Sequence, residues 1–129
     1  MLRTAGLRPT PSRLAILEAL AREARAVSAQ QLFVDLRGTP GAPGLATIYR
    51  TLSALADAGA VDTFRRGDES FFRVCRDGHH HHLVCNNCGL VEEIEADEVE
   101  AWVARVSRRR SFTVTAHRAD IFGLCASCR

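Results

Sequence analysis

Apolar residues recur at helical spacing in four stretches of the chain, with short strand-like runs between them. The first helix opens at Thr10-Pro11, a capping residue followed by proline at the first helical position, where a missing N–H costs nothing. Leu14, Ile16, Leu17 and Leu20 form its apolar face, and it ends over residues 22–25. A second helix starts at Ser28-Ala29-Gln30-Gln31, an S-x-x-Q capping box, and buries Leu32, Phe33 and Leu36. Residues 38–44 hold three glycines and two prolines and form a loop. A third helix covers residues 46–58 and stops at Gly59. A fourth begins after Asp97 and ends near residues 108–110, with apolar positions Val99, Trp102, Val103 and Val106.

Residues 61–65 and 70–74 flank Arg66-Gly67-Asp68-Glu69 and read as a β-hairpin. Residues 80–85, 90–94 and 112–122 read as strands of a second small sheet. The order is three helices and a hairpin, then β-β-α-β. This predicts an α+β chain: a winged helix-turn-helix domain over residues 1–75 and a small α/β domain over residues 76–129, hinged near residues 74–78.

On the third helix Ile48, Leu52 and Leu55 share one face, while Thr47, Tyr49, Arg50 and Ser53 lie away from it. A packed stripe backing a Tyr/Arg-bearing face suits a DNA major groove. Arg65 and Arg66 at the hairpin tip are placed to reach phosphates. Net charge is only +2, but residues 1–75 carry 10 arginines against 7 acids, and residues 76–129 carry 7 against 8. The basic excess therefore lies in the half that has the winged-helix order. With 129 residues, 47% hydrophobic and 25% charged, the composition is that of an ordinary folded chain. No apolar run reaches the ~20 residues of a membrane span, and residues 1–11 lack a signal peptide's apolar segment. The expectation is a soluble, cytoplasmic protein. Two half-length domains have marginal cores, so a metal staple or dimerisation is expected.

Four of the five cysteines form two pairs, Cys85-x-x-Cys88 and Cys125-x-x-Cys128, with 36 residues between them. Two such knuckles in an intracellular chain predict a structural zinc ion held tetrahedrally by four thiolates. A disulfide framework belongs to secreted chains, and a redox motif needs only one copy. The site would pin the end of the chain to the second sheet.

His79-His80-His81-His82 is internal and runs directly into Leu83-Val84-Cys85. Alternate side chains of a strand point to opposite faces, so His80 and His82 share one side and His79 and His81 the other. That parity predicts halves of two separate metal sites. Cys75 is a candidate thiolate partner for one pair, with Asp62, Asp68, Glu69 and Asp77 as candidate acids. The other pair can recruit His117 and an acid from residues 92–100. Among those acids, Glu100 also reads as the closing residue of an Asp97-x-x-Glu100 capping box.

The stretch ATIYRTLSALADAGAV, the string HHHHLVCNNCG and the closing FGLCASC together resemble the ferric uptake regulator family. Within it, they are most similar to zinc uptake regulators of the type common in actinobacteria. The resemblance runs from about Arg8 to Cys128. It implies a homodimeric, metal-dependent repressor of operator DNA that controls zinc-homeostasis genes. It also implies an N-terminal winged helix, a C-terminal dimerisation domain and two to three Zn2+ per subunit. By resemblance, Cys85, Cys88, Cys125 and Cys128 hold the structural ion. Asp62, Cys75, His80 and His82 match a regulatory site, and His79, His81, Glu100 and His117 a further one. Tyr49 and Arg50 match recognition-helix positions, and Arg13 a phosphate-contacting one.

Soft thiolate with imidazole favours zinc over iron or manganese, which accept more oxygen ligands. A related regulator sensing another metal or peroxide is the alternative. A zinc hydrolase requires an open metal position and a nearby base. The sequence has no H-E-x-x-H, so neither enzymatic activity nor a small-molecule substrate is expected, and no membrane partner.

Overall fold

Ile16, Leu20, Leu32, Ile48, Leu52 and Leu55 are all at most 1 % exposed, and they form the centre of the first of two folded units, Met1–Arg76 and Asp77–Arg129. The computed structural model describes residues 1–74 and 76–129. In the first unit, α1 spans Pro11–Arg22, and the Thr10 hydroxyl accepts from the Arg13 N–H at 3.2 Å. Leu14, placed on the apolar face by spacing, is instead 47 % exposed, because Ile16 and Leu20 take the core positions. A two-residue strand β1, Val27–Ser28, precedes α2 at Ala29–Leu36; the sequence pattern had no signal for so short a strand. Ser28 caps α2 by accepting from the Gln31 N–H at 3.2 Å. The reciprocal half of the expected capping box is not made. Gln31 Nε2 donates to Asp35 Oδ1 one turn on, at 2.7 Å.

Helix α3, Leu45–Asp57, buries Ile48, Thr51, Leu52 and Leu55. The Thr51 hydroxyl is satisfied by the Thr47 carbonyl at 2.7 Å, which lets a polar residue join the apolar stripe. Gly59 follows in the left-handed conformation, φ 70°. Strands β2, Asp62–Arg66, and β3, Glu69–Arg73, pair antiparallel from Asp62↔Arg73 to Arg66↔Glu69. The hairpin loop is thus only Gly67-Asp68, shorter than the four residues read from sequence. Gly67 (φ 58°) holds the first loop position, where such a turn calls for glycine. The sheet order is β1-β3-β2, with Phe64 and Phe72 buried.

The second unit contains β4 (His81–Cys85), β5 (Val91–Ile94), α4 (Asp97–Arg109) and β6 (Asp120–Gly123). Its sheet order is β5-β4-β6; β5 is antiparallel and β6 parallel to β4. The strand expected over residues 112–122 is confined to Asp120–Gly123, the part with a partner to pair with. Helix α4 buries none of its residues, and Trp102 is 55 % exposed. Its apolar positions Val99, Trp102, Val103 and Val106 are left unburied by the described residues. The helix is capped by Ala96, with no side-chain bond. The expected Asp97-x-x-Glu100 capping box is absent, because Asp97 is already helical and the Glu100 carboxylate is engaged elsewhere.

Candidate functional site

The parallel pairing of β4 with β6 puts the C-terminal ends of both strands at one edge of the sheet, Cys85 opposite Gly123. One C-x-x-C turn leaves each strand there. Cys85, Cys88, Cys125 and Cys128 consequently converge, with their sulfurs all within 4.8 Å of one another. None is in a disulfide. In the first turn the Gly89 N–H donates to the Cys85 carbonyl at 3.1 Å, and in the second the Cys128 N–H donates to the Cys125 carbonyl at 2.9 Å. Cys88 Sγ lies 3.7 Å from Cys125 Sγ. Tetrahedral Zn–S bonds of ~2.3 Å set sulfurs about 3.8 Å apart, so the four thiols fit a zinc ion.

The surrounding backbone prepares these sulfurs unequally. N–H groups of Cys88 and Cys125 directed at its sulfur hold the Cys85 thiol down at about 6; the Cys125 N–H is 3.4 Å from it. The Cys128 thiol, followed by burial, pushes Cys125 up to about 11. Cys85 is therefore prepared to ionise well before Cys125. Asn87 Nδ2 donates to Cys128 Sγ at 3.3 Å, a stabilising contact that the spacing argument did not anticipate.

At the opposite, N-terminal end of β4, three imidazoles meet one carboxylate oxygen. The Nε2 atoms of His79, His81 and His117 lie 2.9, 2.7 and 3.0 Å from Glu100 Oε1. His81 is 1 % exposed, and its Nδ1 is buried without a partner among the described residues. Hydrogen bonds from His81 first, then from His117 and His79, lower the Glu100 carboxyl to about 2. Three nitrogens and an oxygen within 4.8 Å of one another form a donor set that suits zinc.

His80 and His82 occupy the other side of the strand, ring centroids 4.7 Å apart. The His80 Nδ1–H donates to the Gly78 carbonyl at 2.9 Å, and the His82 Nδ1–H to Asp120 Oδ1 at 2.8 Å. Asp120 was not a candidate from sequence; only the register His82↔Asp120 exposes it. Asp62 opens β2 in the first unit and is half-buried. Cys75, the remaining candidate ligand, lies outside the described residues.

On α3, Tyr49, Arg50 and Ser53 are exposed and Thr47 is half-buried, opposite the stripe of Ile48, Leu52 and Leu55. Arg65 is exposed on β2. Arg66 is not in the turn but closes β2, its guanidinium 3.8 Å from the centre of the Phe71 ring. Arg13 spends one donor within its own unit, on the Arg8 carbonyl at 2.7 Å. Among the described residues no helix is long and apolar enough to cross a membrane.

Residues 4–122 match the ferric uptake regulator family. The chain is 43% identical over 126 residues to the zinc uptake regulation protein of Mycobacterium tuberculosis, covering 97% of each. It is 37% identical over 132 residues to the ferric uptake regulation protein of Escherichia coli K12, covering 99% of this chain and 89% of that one. Among solved structures, the Vibrio cholerae ferric uptake regulator superposes with a TM-score of 0.76 at 36% identity over 96% of each chain. FurB of M. tuberculosis, described as a zinc uptake regulator, gives 0.52 at 43% identity over 91% of this chain and 92% of its own.

Proposed function

We propose, because the chain belongs to the ferric uptake regulator family, that it is a zinc-responsive repressor binding operator DNA as a homodimer in the cytoplasm. Members of that family are transcription regulators, not enzymes. The observation that carries the zinc reading is the pairing of a four-sulfur cluster with separate histidine clusters on the two sides of one strand. Cys85, Cys88, Cys125 and Cys128 hold the structural ion. Asp62, Cys75, His80 and His82 form the regulatory set, and His79, His81, Glu100 and His117 a further one. A bound zinc ion supplies cross-links between ligands that are distant in sequence.

Residues 1–75 serve as the DNA-binding domain, with Thr47, Tyr49, Arg50 and Ser53 facing bases and Arg65 and Arg13 facing phosphates. Residues 76–129 serve as the dimerisation domain. Supporting this, Leu83, Trp102, Phe112, Ile121, Phe122 and Leu124 are between 38 and 72 % exposed in the single chain. So much uncovered apolar surface on one small unit is what a self-complementary interface needs. DNA binding titrated against buffered free Zn2+, Fe2+ and Mn2+ tests the reading. Wild type should bind at the lowest free concentration with zinc, and Cys75→Ser should stay folded and dimeric yet lose the zinc dependence. Unchanged zinc dependence in Cys75→Ser would overturn the regulatory assignment.

A further inference from the structure

Resting on the reading of His80 and His82 as zinc ligands, we infer that Asp120 is a positioning residue that sets the tautomer and orientation of His82 for metal binding, with Arg118 holding Asp120 in turn. The geometry lies entirely within the second unit. Parallel pairing of β4 and β6 places Asp120 directly beside His82, and directly paired side chains project to the same face. The His82 ring is 4 % exposed and the Asp120 side chain 11 %, at 2.8 Å between Nδ1 and Oδ1. Asp120 Oδ2 is taken by Arg118 Nε. Aspartate is a poor strand former, yet it opens a strand that continues Ile121-Phe122. Its side-chain contacts give it a reason to be there.

Which nitrogen is tethered distinguishes the two histidine pairs. His79, His81 and His117 all meet Glu100 through Nε2. His80 and His82 are instead tethered through Nδ1, one by a backbone carbonyl and the other by a carboxylate. An acceptor on Nδ1–H puts the proton there and the lone pair on Nε2, which is the nitrogen then able to ligate. A carboxylate in that role also fixes the orientation of the ring. A backbone carbonyl cannot be removed by mutation, but Asp120 can.

The test uses the full chain with its four-cysteine site filled. Zinc affinity is measured by competition with a chromophoric chelator, and the His82 tautomer by long-range 15N–1H NMR before the remaining zinc is added. Asp120→Ala should weaken the second class of zinc sites by about 10–100-fold, the usual effect of losing such a partner. It should also lose the Nδ1–H signature of His82. Asp120→Asn keeps an oxygen for that N–H but not the charge; it should retain the tautomer and bind zinc between wild type and the alanine variant. His82→Ala is the control. If it leaves every zinc affinity unchanged, His82 is not a ligand, and the reading beneath the inference fails along with it. If His82→Ala removes a site but Asp120→Ala binds zinc as wild type does, the positioning role is overturned and the ligand reading stands. Should the alanine variant not fold, the asparagine variant decides. Weaker zinc binding with wild-type thermal unfolding supports the role, and wild-type affinity overturns it.

Discussion

His81 Nε2 sits 2.7 Å from Glu100 Oε1, the imidazole 1 % exposed and the carboxylate 41 % exposed. A glutamate on the first turn of a helix normally answers to that helix, by capping or by its dipole. Here α4 is capped without it, and the carboxylate serves three histidines instead. Glu100→Gln should therefore leave the helix content unchanged by circular dichroism while removing one zinc per subunit by metal analysis. A full complement of zinc in this variant would refute Glu100 as a ligand.

The two units should respond differently to zinc removal. The core of the first, from Leu2 to Phe72, is complete in itself. The second buries few apolar side chains, so its folding depends on the ion, worth ~10–16 kcal/mol in small zinc modules. Strong chelation, or Cys88→Ser, should melt α4, reported by the single tryptophan, Trp102, and leave the first unit's amides protected from hydrogen exchange. Uniform loss of protection across both units would contradict this.

Acid should weaken metal binding at the four cysteines in two stages. Cys85, held at about 6, is already a thiolate above that pH and gives up no proton to the metal. Below it, one more proton must leave for each ion bound. The slope of log apparent affinity against pH should steepen by about one proton as pH falls through this value. In a Cys75→Ser background, cobalt's thiolate charge-transfer band follows this site alone. A constant slope from pH 5 to about 7, spanning the ordinary histidine range, would exclude the early thiolate.

Arg50 and Arg65 should fail in different ways. Arg50→Ala should cost roughly 1–3 kcal/mol on the operator and little on random DNA, as loss of a base contact does. Arg65→Ala should weaken both equally and lower the salt slope by about one, as loss of a phosphate contact does. Gel shifts at several salt concentrations separate the two; a uniform loss for Arg50→Ala would reassign it to the backbone.

The proposed regulatory ligands come from both units, Asp62 from the first and His80 and His82 from the second. Residues that shared one ion in this way would hold their units at one angle. Recognition helices of a dimer must lie about one helical turn apart, ~34 Å or a multiple. Spin-label distances between the α3 helices of a dimer should therefore narrow to one population with zinc and broaden without it. Moving such an equilibrium from 1:99 to 99:1 takes ~5.5 kcal/mol of preference. Identical distributions in both states would refute this coupling.

Local chemistry was legible along the chain. Thr10-Pro11 starts α1, Gly59 follows α3, and the C-x-x-C spacing and the parity of four consecutive histidines follow from the geometry of turns and strands. The same is true of the stripe Ile48, Leu52 and Leu55, because helical periodicity is a property of one segment. What the sequence left open depends on pairing between segments distant in the chain. The parallel register of β6 on β4 decides that Cys125 meets Cys85 and that Asp120 meets His82. It also confines the last strand to four residues, since backbone groups without a neighbouring strand cannot form a ladder. Glu100 could serve a helix end or a histidine cluster by sequence. Tertiary structure decided it by bringing His79, His81 and His117 within hydrogen-bonding reach of one oxygen, where three donors outweigh a single cap.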